Sequence, residues 1–222
     1  MHKLLESGVV APGRRGIVFG VGQERLPALF ASMGASIVAT DAPPEIGVAS
    51  GWRQSNQHSD SLSQLRYDDI APSNVFYARV RHRYCDMTAI PDDLNGFDFT
   101  WSSCCYEHLG SLEAGAQFVI DSVEKVLKVG GVACHTTEFN LSSDDETIEE
   151  GPTVLYRRRD MVELIDRLRQ RGHTVEPFVI APDSHFLDHH VDVPPWTHNP
   201  HLKLRMGEYV ATSAGILVTR GR

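Results

Sequence analysis

A glycine turn and an acidic residue follow two short β-prone segments near the start of the sequence. The apolar run that begins at Arg15 ends in Gly20-Val-Gly22, and a second β-branched run ends on Asp41, 19 residues after Gly22. Glycines at such a turn let the backbone approach a ligand closely, and a carboxylate at Asp41 can accept two hydrogen bonds from a ribose diol. The pattern predicts a βαβ unit for a ribose-containing ligand, although a Gly-x-Gly turn alone is also ordinary turn chemistry.

Candidates for acid–base chemistry lie in and after two later β-prone segments. His135 ends the predicted fifth strand and Glu138 follows closely, so an imidazole and a carboxylate can form a base and its orienting partner at the mouth of a sheet. His108, after the predicted fourth strand, is the second choice as base. The alternative is that His135 only caps the strand and that Glu138 is a solvated loop residue.

Seven predicted strands, mostly alternating with helices, would position these residues. The first strand begins at Arg15. The other six lie within Ala35–Asp41, Ala78–Asp86, Phe97–Ser102, Val132–His135, Thr174–Ile180 and Ala214–Thr219. The alternation indicates an α/β fold with an open sheet, in which ligands bind beyond the carboxyl ends of the strands. We expect one domain over residues 1–222, with a cofactor half at about 14–140 and lid segments at about 42–73 and 181–210.

Composition excludes several classes of protein. The 222 residues are 41% hydrophobic and carry 21 Lys plus Arg against 29 Asp plus Glu, a formal charge of −8, which disfavours a nucleic-acid or acidic-membrane partner. No apolar run approaches the roughly 20 residues of a membrane span, and the start lacks a signal-peptide pattern. The 4 cysteines show no C-x-x-C spacing and are expected to be reduced thiols. A cytoplasmic location is therefore expected.

The carboxylate of Glu24 separates two classes of cofactor. A nicotinamide dehydrogenase normally has a third glycine where the pyrophosphate meets the helix N-terminus, and Glu24 occupies that place. A carboxylate there would repel a pyrophosphate. It is compatible with a ligand that carries positive charge and no phosphate.

Five segments occur in a fixed order between Arg15 and Phe139. They are Phe19-Gly-Val-Gly-Gln-Glu24, Val38-Ala-Thr-Asp41, Asp86-Met-Thr-Ala-Ile-Pro91, Phe97-Asp-Phe-Thr-Trp-Ser-Ser103 with Tyr106-Glu-His-Leu109, and Val126-Leu-Lys-Val-Gly-Gly131. Together they resemble the motifs of class I S-adenosylmethionine (SAM)-dependent methyltransferases. The resemblance implies a Rossmann-like, seven-stranded, mostly parallel sheet with an antiparallel last strand. It also implies SAM as cofactor and S-adenosylhomocysteine (SAH) as product.

The resemblance further implies roles for single residues. Gly20 and Gly22 would face the methionine part of the cofactor, and Asp41 would bind the ribose hydroxyls. Asp86 and Met87 would meet the adenine, and Ser102 would line the sulfonium side. The family's usual acid at the end of the first strand falls on Val18 here, so Glu24 becomes the candidate for the cofactor's amino group.

The function expected from these residues is methyl transfer from SAM, most simply to an oxygen of a small molecule or glycan precursor. A hydroxyl acceptor must lose its proton, which is the role expected of His135 with Glu138, or of His108. A nicotinamide-dependent oxidoreductase is one alternative. A non-catalytic module that keeps the fold and the cofactor is another.

A histidine-rich segment lies between residues 185 and 192. His185, Asp188, His189 and His190 invite a divalent-metal interpretation, but the segment is a loop without an assured helical i, i+4 pair. We expect a polar substrate lid here, and we expect no metal ion.

Overall fold

The computed structural model describes residues 2–49, 51–54, 57–196 and 200–222. The described helices are α1 (His2–Glu6), α2 (Leu26–Ser32), α3 (Pro44–Ala49), α4 (Ser73–Arg79), α5 (Leu112–Asp121) and α6 (Arg158–Gln170). The strands are β1 (Arg15–Phe19), β2 (Ser36–Asp41), β3 (Val80–Tyr84), β4 (Phe97–Ser103), β5 (Gly110–Ser111), β6 (Leu127–Asn140), β7 (Glu150–Gly151), β8 (Thr174–Val175), β9 (Lys203–Met206) and β10 (Tyr209–Thr219). Among these helices, none has the length and apolar character needed to cross a membrane.

The main sheet has the order β3-β2-β1-β4-β6-β10-β8, and β9 is added to β10 outside this path. The first five strands are parallel to their neighbours, whereas β10 runs antiparallel to β6, β8 and β9. The predicted α/β fold class with a mostly parallel sheet is therefore confirmed. The seven predicted strands correspond to the path itself, and β9 is an eighth strand that the sequence did not reveal.

Apolar layers cover both faces of this sheet. In β1, Ile17 and Phe19 pack into the layer that α5 and α6 complete, while Val18 packs into the layer of α2 and α4. Successive side chains of a strand point to opposite faces, so a strand covered on both sides must be apolar throughout. This is why β1 appears in the sequence as an unbroken apolar run.

A short 3-10 turn lies at Leu62–Leu65, and α6 begins at Arg158, with Asp160 accepting the backbone N–H of Arg157 at 2.8 Å. One strand is longer than expected from the sequence. β6 continues to Asn140, well past His135. The division into a cofactor half and two lid segments stays a prediction.

Gly16 in β1 lies directly beneath the ring of Phe99 in β4. A Cβ at Gly16 would lie 2.3 Å from that ring, so we expect Gly16→Ala to lower the free energy of unfolding by about 1–3 kcal/mol through overpacking. Denaturant unfolding measures this. Gly215→Ala in β10 is the matched control, because its Cβ would meet only an ordinary contact at 3.7 Å and should change stability by no more than about 0.5 kcal/mol. Equal effects of the two substitutions would contradict the packing described for β1.

Candidate functional site

A cavity of about 600 Å³ opens at the carboxyl ends of β1, β2 and β4. Seven of the residues singled out in the sequence line it: Gly20, Gly22, Glu24, Asp41, Asp86, Met87 and His108. Ser102, His135 and Glu138 do not. Trp52 and Gln57, from the segment that follows β2, also line it.

The turn after β1 depends on two glycines in the left-handed region. Gly20 has φ 61° and Gly22 has φ 50°, conformations that side chains rarely adopt. A Cβ on Gly20 would approach Cys105 at 2.9 Å, and one on Gly22 would approach the carbonyl oxygen of Gln57 at 3.1 Å. The turn thus brings bare backbone to the cavity wall, as the sequence pattern predicts.

Asp41 ends β2 with both carboxylate oxygens bonded to backbone. Its Oδ2 accepts the N–H groups of Gly22 and Ser59, each at 2.9 Å, and its Oδ1 accepts the N–H of Ala42 at 2.8 Å. Burial raises the pKa of Asp41, and these backbone donors oppose that shift. Asp41 therefore fastens the glycine turn to the chain at Ala42 and Ser59.

Glu24 begins the chain segment after the turn and lies against the end of β4. Its Oε1 accepts the indole N–H of Trp101 at 2.6 Å, and its Oε2 accepts the hydroxyl of Ser103 at 3.1 Å. Burial raises the pKa of Glu24 to about 7, and the two hydrogen bonds reduce that shift only in part. A positive group of a ligand would favour the ionised carboxylate.

Asp86 and Met87 form the opposite wall after β3. The Oδ1 of Asp86 accepts the N–H of Thr88 at 2.8 Å and its hydroxyl at 2.7 Å. Its Oδ2 accepts no hydrogen bond from the residues that the structure describes. Met87 places its sulfur 3.8 Å from the Sγ of Cys105, across the floor of the cavity.

His108 has one ring nitrogen bound and the other available. Its Nδ1 lies 2.9 Å from the carbonyl oxygen of Pro152, which can only accept, so Nδ1 carries the proton of the neutral ring. Nε2 is then a lone-pair acceptor, and within the described part of the chain it has no hydrogen-bond partner. Burial lowers the pKa of His108, and the ring packs edge-on against Trp52 with centroids 5.7 Å apart.

His135 is not placed for acid–base chemistry, which corrects the sequence-based expectation. It lies in the middle of β6, fully buried, with Nδ1 2.7 Å from the hydroxyl of Ser102 and Nε2 2.9 Å from that of Ser122. Burial lowers its pKa to about 3. Both nitrogens are engaged, and His135 is not among the described residues that line the cavity, so it is a structural residue. Ser102, 2% exposed, is turned toward this histidine and away from the cavity, which corrects its expected place beside the sulfonium.

Glu138 does not orient His135 but joins a cluster that the sequence did not reveal. Side-chain ligand atoms of Cys104, Glu107 and Glu138 lie within 4.8 Å of one another. Burial raises the pKa of Glu107 to about 8, with the nearby Glu138 adding to the shift, and burial raises that of Cys104 to about 12. These three residues are called the Cys104 cluster below. Within the described residues it is the only group of three such side chains this close together.

The histidine-rich segment lies away from the cavity. Asp188 accepts the N–H groups of Ser184 and His185, each at 2.8 Å, and so caps the 3-10 turn Phe186–His189. His189 lies 3.5 Å from Asp183 and is exposed. This local capping explains the spacing of the acidic and histidine residues. The role of the segment as a substrate lid stays a prediction.

The cavity as a whole is acidic. Glu24, Asp41 and Asp86 contribute carboxylates, and among the described residues that line it there is no Lys or Arg. Such a wall attracts a cation and repels a phosphate.

No protein-family model matches the chain, and no curated protein matches its sequence. Solved structures match it in fold. A SAM-dependent methyltransferase from Clostridium acetobutylicum is 13% identical, with a TM-score of 0.55 over 100% of this chain and 89% of that one. A DhpI–SAH complex is 12% identical, with a TM-score of 0.54 over 99% of this chain and 82% of the other.

A protein from Rhodobacter sphaeroides described among the Zn-dependent alcohol dehydrogenases is 14% identical, with a TM-score of 0.56 over 96% of this chain and 86% of that one. A further match is described as a sarcosine dimethylglycine methyltransferase from Galdieria sulphuraria and is 17% identical, with a TM-score of 0.48. The match covers 80% of this chain but only 59% of that protein. At these identities the likeness concerns the fold. The chain has the Rossmann-like fold of class I SAM-dependent methyltransferases.

The buried, uncharged state of His135 predicts a specific pH dependence of stability. Its pKa is about 3 in the folded chain and near 6.5 when unfolded, so lowering the pH below 6.5 protonates only the unfolded state. Between pH 7 and pH 5 the free energy of unfolding of the native chain should fall by about 2 kcal/mol more than that of His135→Gln. Urea titrations at both pH values measure the difference.

His2→Gln is the control for this experiment, because His2 is exposed and should leave the pH dependence unchanged. The same pH dependence in the native chain and in His135→Gln would contradict the buried, neutral imidazole.

Proposed function

We propose that this chain is a SAM-dependent methyltransferase. One observation carries the proposal: a glycine turn and three carboxylates surround the cavity at the carboxyl ends of the sheet, and no Lys or Arg is found among its described lining residues. SAM combines a ribose with a sulfonium and an ammonium and has no phosphate, so its charge suits this wall. A dinucleotide would bring a pyrophosphate toward Glu24 without a compensating cation.

Glu24 is the residue that we assign to the cofactor's ammonium. It is a partly buried carboxylate beside the glycine turn, held by Trp101 and Ser103. These two donors fix its orientation, so an ammonium would meet a preorganised acceptor. Val18, at the position of the family's usual acid, cannot supply this contact.

Asp41 and Asp86 are assigned to the nucleoside. A carboxylate offers about four acceptor positions, and three on Asp41 are already taken by backbone N–H groups. Asp41 can therefore accept one ribose hydroxyl, rather than the two expected from the sequence, while it keeps its bonds to Gly22, Ala42 and Ser59. The unengaged Oδ2 of Asp86 is the candidate acceptor for the adenine amino group, beside Met87.

His108 is the candidate general base. SAM, when bound, supplies an electrophilic methyl group. The carbonyl of Pro152 keeps the proton on Nδ1, so Nε2 can take the proton of an acceptor hydroxyl. The lowered pKa of His108 keeps the ring neutral and able to accept a proton near pH 7.

Oxygen methylation of a small molecule or glycan precursor is the finer part of the proposal. Oxygen methylation is supported by the available Nε2 of His108, because a hydroxyl acceptor needs a base. A sugar-containing acceptor is supported by Trp52, whose ring beside His108 offers a stacking surface. The cytoplasmic location expected from the sequence stays a prediction.

The alternatives make different demands on the cavity. An oxidoreductase that uses a nicotinamide cofactor is the rival suggested by the likeness to an alcohol dehydrogenase, but the carboxylate of Glu24 disfavours its pyrophosphate. A non-catalytic module would have no use for His108, whose proton is placed on one nitrogen while the other is left available.

Glu24→Gln tests the assignment of the ammonium. We expect the native chain to bind SAH about tenfold more weakly at pH 6 than at pH 8, because Glu24 with its pKa of about 7 is protonated at the lower pH. Glu24→Gln should bind about 10- to 100-fold more weakly at pH 8, since a charge-assisted hydrogen bond is lost, and should lose most of the pH dependence. Calorimetric titration measures both.

Glu163→Gln, on the exposed face of α6, is the matched control and should behave as the native chain. If Glu24→Gln keeps native affinity at pH 8, the ammonium lies elsewhere.

His108→Gln tests the base. Transfer of radiolabelled methyl from SAM to a panel of hydroxyl-bearing small molecules and glycan precursors identifies an acceptor. With it, His108→Gln should lower kcat by about a hundred- to ten-thousandfold, the usual contribution of a general base. The affinity for SAH should change little. The exposed His2→Gln should keep native kcat, and near-native kcat in His108→Gln would mean that another group accepts the proton.

A further inference from the structure

The Cys104 cluster lies where β4 and β6 run side by side behind the cavity. Ser103 pairs with Thr136 in the parallel register of these strands, which brings Cys104 and Glu107 from one chain segment next to Glu138 from the other. Cys104 lines the cavity, and Glu107 is fully buried behind it. The cluster therefore has one side open to a ligand and the others enclosed by protein.

Two carboxylate oxygens of the cluster are buried without any hydrogen-bond partner. They are Oε1 of Glu107 and Oε2 of Glu138. The other oxygen of Glu107 accepts the hydroxyl of Thr137 at 3.2 Å, which fixes the direction of the side chain. An unpaired buried acceptor is costly, and a positive group bound beside the two carboxylates would remove that cost.

We propose that Cys104, Glu107 and Glu138 bind a divalent transition-metal ion of the Zn²⁺ type. A thiolate with two carboxylates is a mixed ligand set that Zn²⁺ accepts and that Mg²⁺ or Ca²⁺ does not favour. Three protein ligands leave one tetrahedral position, which faces the cavity and can take a hydroxyl or carboxylate oxygen of a bound small molecule. This inference does not depend on the proposed cofactor.

The geometry needs only a small adjustment. Around a tetrahedral Zn²⁺ the ligand atoms lie about 3.5 Å apart, so ligand atoms that now lie within 4.8 Å of one another would approach by at most about 1.3 Å. Binding breaks the S–H bond of Cys104 and the O–H bond of the Glu107 carboxyl, whose raised pKa holds a proton near pH 7. Sulfur–metal and oxygen–metal bonds form, and both protons pass to solvent. The hydroxyls of Ser213 and Thr136, 3.2 Å and 3.4 Å from Sγ, can donate to the thiolate.

The backbone of Cys104 is consistent with a binding residue. It has φ 46°, in the left-handed region, although it is not a glycine. The carbonyl and hydroxyl of Thr136 hold it there by accepting its N–H at 3.1 Å and 3.0 Å. This conformation turns Sγ toward the two glutamates at a cost in strain that a purely structural thiol does not require.

Titration of the metal-stripped full chain with Co²⁺ tests the proposal without any activity measurement. We expect one equivalent to bind with a thiolate-to-cobalt charge-transfer absorption, and Zn²⁺ to displace it. Cys104→Ser should abolish that absorption, and Glu107→Gln or Glu138→Gln should weaken binding at least about a hundredfold, more than the loss of an outer-shell partner. Cys105→Ser, which changes the neighbouring thiol, is the matched control and should keep the absorption.

Circular dichroism confirms that each variant is folded, and Glu138→Gln replaces Glu107→Gln if the latter is not. If the folded native chain shows no thiolate–cobalt absorption, or if Cys104→Ser keeps it, the proposal is overturned and the two glutamates instead share a proton. If the native chain binds Co²⁺ but does not bind SAH, the result contradicts the proposed function and still supports the metal site.

Discussion

Buried negative charge without a protein cation beside it is the constraint on which this cavity depends. Raising the pKa of Glu24 from 4.5 to about 7 means that keeping it ionised costs about 3 kcal/mol relative to water. Asp41 meets the same constraint differently, because three backbone donors surround its carboxylate. A positively charged group of a ligand offsets part of that cost on binding. The charge of the cavity therefore favours ligands with a positive group over ligands with a phosphate.

The sheet makes this arrangement possible. Five parallel strands end on one edge, and apolar layers pack on both faces of the sheet, so polar side chains that follow these strands lie close together at that edge. The same parallel pairing of β4 and β6 places the Cys104 cluster beside the cavity. The cavity and the Cys104 cluster therefore lie on the same edge of one sheet.

Much of the fold could be predicted because its signals are local. Apolar runs marked the seven strands of the path. The rule that ligands bind beyond the carboxyl ends of the strands, called the end-of-strand rule here, pointed to Gly20, Gly22 and Asp41. The same rule failed for His135, because β6 pairs with β10 as far as Asn140 and so carries this residue into mid-strand. The Cys104 cluster could not be found, since Cys104 and Glu138 are brought together only by the register of two strands. Adjacent cysteines at the end of β4 were the one available signal.

The central claim is that the acidic cavity binds a phosphate-free nucleoside ligand that carries an ammonium group. Parallel calorimetric titrations of the purified chain with SAH and with reduced nicotinamide dinucleotide at pH 8 test it most directly. The account predicts saturable, stoichiometric binding of SAH and no detectable heat of binding for the dinucleotide. Binding of the dinucleotide without binding of SAH would contradict it.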